Sequence, residues 1–249
     1  MDASSPRWHR VTPSTFWWED EAIDFLRGRV ADADPNRGWS NFEFIAGGVI
    51  SEVDAFVLTR KGAFLIEIKS TPGRLTGDQQ RWTFHRPDGG RTTMANPLLG
   101  INRKAKRLKS LLEHRWREVQ GPNTLVRPPF IQPLVFLSDP HLEVQLSRDA
   151  RVHVHGRDGS AVVERGDLSG IVAAVAGIGA AEAANPHFRQ LNTPTNTAVA
   201  TAIRWVRLGT MATAPGYGTR PWTRQGPGRE PGALRDARDP DGPVHTVSC

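Results

Sequence analysis

Cysteine is almost absent: Cys249, the last of 249 residues, is the only one. That excludes a disulfide within the chain and a zinc site built on several cysteines, and it fits a reducing cytoplasm. Long apolar runs are missing as well. The longest weakly polar stretch, Ile171 to Ala184, is alanine-rich and too short to span a bilayer, and Met1 to Arg10 holds no apolar signal core. The expectation is a cytoplasmic chain with no membrane attachment. Several catalytic signatures are also lacking. No G-x-S-x-G elbow and no Cys–His nucleophile pair occurs, and the glycine-rich stretch Arg207 to Gly218 has neither the spacing nor the lysine of a phosphate loop. His141, His153 and His155 have no partners at metal-ligand spacing.

What the chain does hold is glycine, proline and positive charge, unevenly distributed. There are 24 Gly and 19 Pro, and the formal net charge is +6. A basic chain favours an anionic partner, and nucleic acid is the commonest one. The patterning divides the chain into a flexible leader (1–15), a main domain (16–145), a mixed, partly helical extension (146–208) and a disordered tail (209–249), the last rich in Gly, Pro, Arg and Asp.

Apolar residues at helical spacing predict a first helix from Phe16 to Val30, with Ser14 or Thr15 as its cap and Glu19, Asp20 and Glu21 in its first turns. Strands are expected over Asn41–Ala46, Val49–Leu58 and Ala63–Lys69, the first two joined at Gly47-Gly48. Trp82 and Phe84 suggest a further hairpin, with a structural role favoured for Trp82 over base stacking. Asn96-Pro97 opens a second helix whose stripe is Leu98, Ile101, Ala105, Leu108 and Leu112. Ile131–Ser138 reads as a buried strand, Val152–His155 as a short one, and Leu168–Ala184 and Thr197–Leu208 as helices. Trp17 and Trp18 read as core and helix-packing residues, favoured over a base-stacking platform. The fold class is α/β, with a central mixed sheet of about four or five strands flanked by helices.

The sharpest chemical signal is Asp54 followed by Glu67-Ile68-Lys69. Ala63–Lys69 is apolar on both faces until its end, so two charges there need partners or an ion. If Arg60 and Lys61 alone form the preceding turn, Asp54 faces Glu67, with Cβ atoms roughly 4.5–5.5 Å apart. A bulge at Gly62 is the alternative. Two carboxylates that close repel unless a proton or cation lies between them. Mg²⁺, or Mn²⁺ in its place, suits such a pair, with the Ile68 carbonyl as a further oxygen. An ordinary ion pair of Lys69 with Glu67 or Asp54 is the competing reading.

The run Glu52-Val53-Asp54, then Lys61 through Ser70, resembles the nuclease-related domain (NERD), as do the Trp82 segment and Asn96-Pro97 with Asn102-Arg103. The resemblance covers roughly residues 17–140. It implies a restriction-endonuclease-like core with a D…(D/E)xK site, and hence Asp54, Glu67 and Lys69 as catalytic residues. In that wider class an acid on the first helix often joins the metal; Glu21 is the first candidate and Glu19 the second, although dipole compensation accounts for either. Trp17-Trp18-Glu19, Trp39 to Phe44 and Asn102 to Lys106 further resemble the N-terminal part of the large actinobacterial serine/threonine kinases of phage growth limitation and bacteriophage exclusion. No kinase signatures follow here, so the resemblance implies a stand-alone or truncated piece, with other phage-defence proteins as partners and a tail after Gly209 of suspect reading frame.

Between Leu98 and Glu118 seven basic residues, Arg103, Lys104, Lys106, Arg107, Lys109, Arg115 and Arg117, face only Glu113 and Glu118. Such a one-sided helix suits a phosphate backbone, with Asn102, Arg103, Lys104, Lys106 and Arg107 as the contacting set. The expected activity is Mg²⁺-dependent phosphodiester hydrolysis of DNA, with RNA less favoured. The alternatives are a nucleic-acid-binding or regulatory module with little catalysis, and a structural adaptor.

Overall fold

The computed structural model describes residues 1–121, 128–176, 198–201 and 203. Among them the order is β1 (Trp8–Arg10), α1 (Trp17–Arg29), β2 (Arg37–Ala46), β3 (Val49–Leu58), β4 (Ala63–Lys69), β5 (Arg74–Gly77), β6 (Arg81–His85), β7 (Arg91–Ala95), α2 (Pro97–Gln120), β8 (Ile131–Leu137), β9 (Glu143–Leu146), β10 (Val154–Gly156), α3 (Ala161–Glu164), β11 (Ser169–Gly170) and α4 (Ile171–Val175). The fold is a mixed α/β arrangement of a seven-stranded sheet, β1-β2-β3-β4-β8-β10-β11, and a four-stranded one, β7-β6-β5-β9.

Two tight hairpins build the centre. Gly47 and Gly48 turn β2 into β3 with φ of +56° and +77°. Two successive left-handed residues make the turn whose twist matches the strands, and glycine adopts them without a Cβ penalty. Thr59 and Gly62 exchange backbone hydrogen bonds of 2.9 and 3.3 Å, leaving Arg60 and Lys61 alone in the second turn. The β3–β4 register follows: Leu58 pairs Ala63, and Ala55 pairs Ile66. The two-residue loop is therefore the one present, without a bulge at Gly62.

Strand β8 lies parallel to β4, and α2 is the helix of the crossover between them. Asn96 caps α2 by accepting the Leu98 amide at 2.9 Å, with Pro97 in the first turn. Ile101, Ala105, Leu108, Leu112 and Trp116 pack with Phe42, Phe44, Phe56, Leu58 and Leu65 on one face of the sheet. On the other face, Ala22, Ile23 and Leu26 of α1 meet Ala55, Val57, Phe64, Ile66 and Ile68. Each buried Leu, Ile or Phe contributes roughly 1.5–3 kcal/mol relative to exposure, so the two helix stripes clamp the sheet.

The alternation of faces breaks at one level of β2 and β3. Val53 shares a cluster with Phe56 and Leu58, while Ala55 and Val57 belong to the opposite one. Asn41 sits across from Asp54 at this level, with φ +53°, between the paired positions Ser40–Ala55 and Phe42–Val53. A left-handed residue cannot continue the pleat, so both strands swap faces there.

Several expectations are corrected. The main sheet has seven strands among the described residues rather than four or five: β1 and β11 are only two or three residues long and carry no period-2 pattern, and the short strand expected at Val152–His155 joins it as β10, Val154–Gly156. Residues beyond 145 supply β10 and β11 to that same sheet. The hairpin expected at Trp82 and Phe84 is present, as β6 of the second sheet between β5 and β7, and Trp82 is fully buried, as its structural role requires. The cap position of α1 is Phe16, not Ser14 or Thr15. Trp17 is 56% exposed, so it is not a packing residue. Of Leu168–Ala184, Ile171–Val175 is helical and 177–184 lies outside the described residues; of Thr197–Leu208, residues 198–201 and 203 are described and helical. The tail from 209 lies outside them too. No helix among the described residues is long and apolar enough to cross a membrane.

Candidate active site

The ladder between β3 and β4 stops at Ala55–Ile66, one step short of Asp54 and Glu67. Instead of continuing it, the Asp54 side chain turns to β4, where its Oδ2 accepts the Ile68 backbone N–H at 2.7 Å. Both carboxylates thus lie at the C-terminal end of an otherwise buried strand. Glu67 lies on the α2 side, in step with Ala63 and Leu65. Its Oε1 accepts from Lys69 Nζ and its Oε2 from Lys104 Nζ, each at 2.8 Å. The Glu67, Lys69 and Lys104 side chains are only 17, 22 and 24% exposed, so these are charge-assisted contacts sheltered from water. Ser138 donates its backbone N–H to the Lys69 carbonyl at 3.0 Å, and the Ser70 and Ser138 hydroxyls pair, which ties the strand end to β8.

The electrostatics separate the two acids. Burial, and next the charge of Glu67, push the Asp54 carboxyl up to about 7. Burial acts upward on Glu67 as well, but Lys69 and Lys104 outweigh it and bring it down to about 2. Burial works against the Lys69 ammonium, yet Glu67 and Asp54 outweigh that and raise it above its ordinary value. Lys69 is therefore a fixed positive charge near neutral pH.

The first helix contributes Glu19 rather than Glu21. Glu21 is 53% exposed and pairs with Arg157 at 3.0 Å. Glu19 accepts the Ser14 hydroxyl at 2.7 Å, and burial raises its pKa within reach of Lys69 and Glu67. Two residues along a helix are about 200° round its axis, so one acid facing inward turns the other outward. A readable signal did exist: Ala22, Ile23 and Leu26, the buried residues of α1, stand three, four and seven residues after Glu19.

Lys104, expected among the nucleic-acid contacts, is engaged by Glu67 instead. It borders the buried stripe, three residues after Ile101 and four before Leu108, which directs it at the sheet. Asn102, Arg103 and Lys106 are exposed and Arg107 half-buried; Arg103, Lys106 and Arg107 form no ion pair among the described residues. Asn41, which sequence reasoning passed over, is buried across from Asp54 with neither carboxamide atom hydrogen-bonded.

As a metal site the donor set is partial. Among the described residues no three His, Cys, Asp or Glu side chains form a ready cage. Asp54 and Glu67 do fit an ion that keeps several waters and is held by one or two carboxylates, as Mg²⁺ is.

A stretch of 107 residues is 41% identical to a protein of Streptomyces coelicolor named as probable kinase PglW. That stretch is 43% of this chain and 7% of the relative, so the chain spans a small part of that protein's length. No solved structure matches. The family model of the nuclease-related domain matches residues 14–138, from the loop before α1 to the end of β8. That range is half of the chain and holds Asp54, Glu67 and Lys69 with the elements that position them, and so the chain belongs to the nuclease-related domain (NERD) family.

Proposed function

We propose that this protein hydrolyses phosphodiester bonds in nucleic acid, DNA before RNA, with Asp54, Glu67 and Lys69 as its catalytic set. The observation that carries the reading is that Asp54, on the Ile68 amide, and Glu67, on Lys69, both lie at the end of β4. Asp54, Glu67 and the Ile68 carbonyl would hold Mg²⁺, or Mn²⁺ as its substitute. When bound, the ion supplies positive charge against the phosphate and makes water more acidic. Lys69, held protonated, steadies the phosphate or orients water by its charge and does not serve as a base. Exposed Arg103 and Lys106 contact the phosphate backbone without reading sequence. The resemblance to the phage growth limitation kinases favours a setting in phage defence, beside other proteins of such a system.

A second reading is a nucleic-acid-binding or regulatory module with little or no catalysis. It is favoured by one observation: both oxygens of Glu67 are already held by lysines. Incubating the purified full chain with plasmid, single-stranded DNA and RNA in Mg²⁺ separates the two. Cleavage lost in Glu67→Gln, with binding retained, supports the enzyme. Binding that Arg103→Glu weakens, with no cleavage by the wild type, supports the module.

A further inference from the structure

Three aromatic side chains stand at the start of α1. Phe16 is 40% and Trp17 56% exposed. Phe16 stacks on Trp18 with ring centroids 4.8 Å apart, and Trp17 meets Trp18 edge-on at 5.8 Å. The Trp and Phe side chains of the main sheet, by contrast, are all buried. Exposed aromatic side chains grouped in contact mark a candidate binding surface.

Its position indicates what it binds. The next residue, Glu19, accepts the Ser14 hydroxyl at 2.7 Å, and one turn further on Ala22 and Ile23 share a buried cluster with Ile68, the residue between Glu67 and Lys69. The other acids of this helix do not make the ledge repellent to a nucleic acid. Asp20 and Asp24 are paired with Arg10 at 3.3 and 2.7 Å, and Glu21 with Arg157 at 3.0 Å. The neighbourhood combines flat apolar rings with a lysine-bearing phosphate site. Nucleobases offer the matching flat faces, and only unpaired bases have them free.

We propose that Phe16, Trp17 and Trp18 form a stacking platform for unpaired bases of a single DNA strand whose phosphate lies at Asp54, Glu67 and Lys69. The inference rests on the nuclease reading and narrows its substrate to single-stranded DNA. Trp17 is the exposed edge of the platform, so replacing it leaves the core intact.

The test uses the full chain, as wild type, Trp17→Ala and Trp17→Phe, titrated with labelled oligothymidylate and with a blunt duplex. Trp17→Ala is expected to weaken oligothymidylate binding about tenfold, Trp17→Phe to restore most of it, and the duplex affinity to stay unchanged. Oligothymidylate should also quench wild-type tryptophan fluorescence more than that of Trp17→Ala. Equal oligothymidylate affinity for wild type and Trp17→Ala overturns the platform while leaving the nuclease reading standing. A wild type that binds neither oligomer overturns both.

Discussion

Lys104 Nζ donates to Glu67 Oε2 at 2.8 Å, joining the basic helix α2 to the end of β4. The ammonium stands where a metal ion held by the same oxygen would compete with it. This contact is sheltered, since both side chains are less than a quarter exposed.

Removing that competitor is expected to strengthen metal binding. Lys104→Met should raise the affinity for Mg²⁺ by roughly tenfold, the worth of one charge-assisted hydrogen bond. Calorimetric titration measures it. An unchanged or weaker affinity in the variant would show that Lys104 supports the site instead of opposing an ion.

The metal pair itself is tested by Asp54→Asn and Glu67→Gln. Each should abolish the heat of Mg²⁺ and Mn²⁺ binding seen with wild type, and nuclease activity should fall by at least about a hundredfold. The titration is repeated with a DNA oligonucleotide present, because phosphate supplies ligands of its own. Binding that survives both substitutions places the ion elsewhere.

Asp54 also sets a pH dependence. Its pKa is raised in the fold from 3.8 to about 7, so between those values the folded state binds more protons than the unfolded chain. Stability from this group is therefore greatest below the unfolded value and falls as pH rises through about 7. Asp54→Asn removes the ionised carboxyl. Its gain over wild type should be on the order of 1–3 kcal/mol at alkaline pH and small at acid pH. Urea unfolding at both ends of that window reads it; a gain independent of pH argues against an elevated Asp54.

Charge reversal on the outer face of α2 probes the nucleic-acid contact. Arg103→Glu and Lys106→Glu should each weaken DNA binding several-fold at moderate salt and make the affinity less sensitive to salt, whatever the sequence of the DNA. Fluorescence anisotropy across a salt series measures both effects. If affinity and salt slope match wild type, the basic face only keeps the chain soluble.

The acid pair and the register that leads to it were legible in the residues. The turn at Arg60-Lys61 was enough to set the pairing from Leu58–Ala63 to Ala55–Ile66, because strand pairing is counted residue by residue from a tight turn; that the ladder ends there and Asp54 reaches the Ile68 amide instead was not. The α2 stripe was equally plain, since five apolar residues at helical spacing admit one buried face. Glu19 was harder: a carboxylate on an apolar stripe reads as solvated until the opposing charges are known.

The sequence by itself determined the helix stripes, the two tight turns and the carboxylate–lysine strand end, all of which depend on neighbours within one or two turns of chain. Tertiary structure alone decided which helix acid faces inward, that Lys104 serves Glu67 rather than solvent, and that β1, β10 and β11 complete the sheet. It also decided that Trp17 stays in water. These outcomes depend on pairing between residues distant in the chain, where rotation about a helix axis or one short strand's choice of neighbour is settled by packing and charge together.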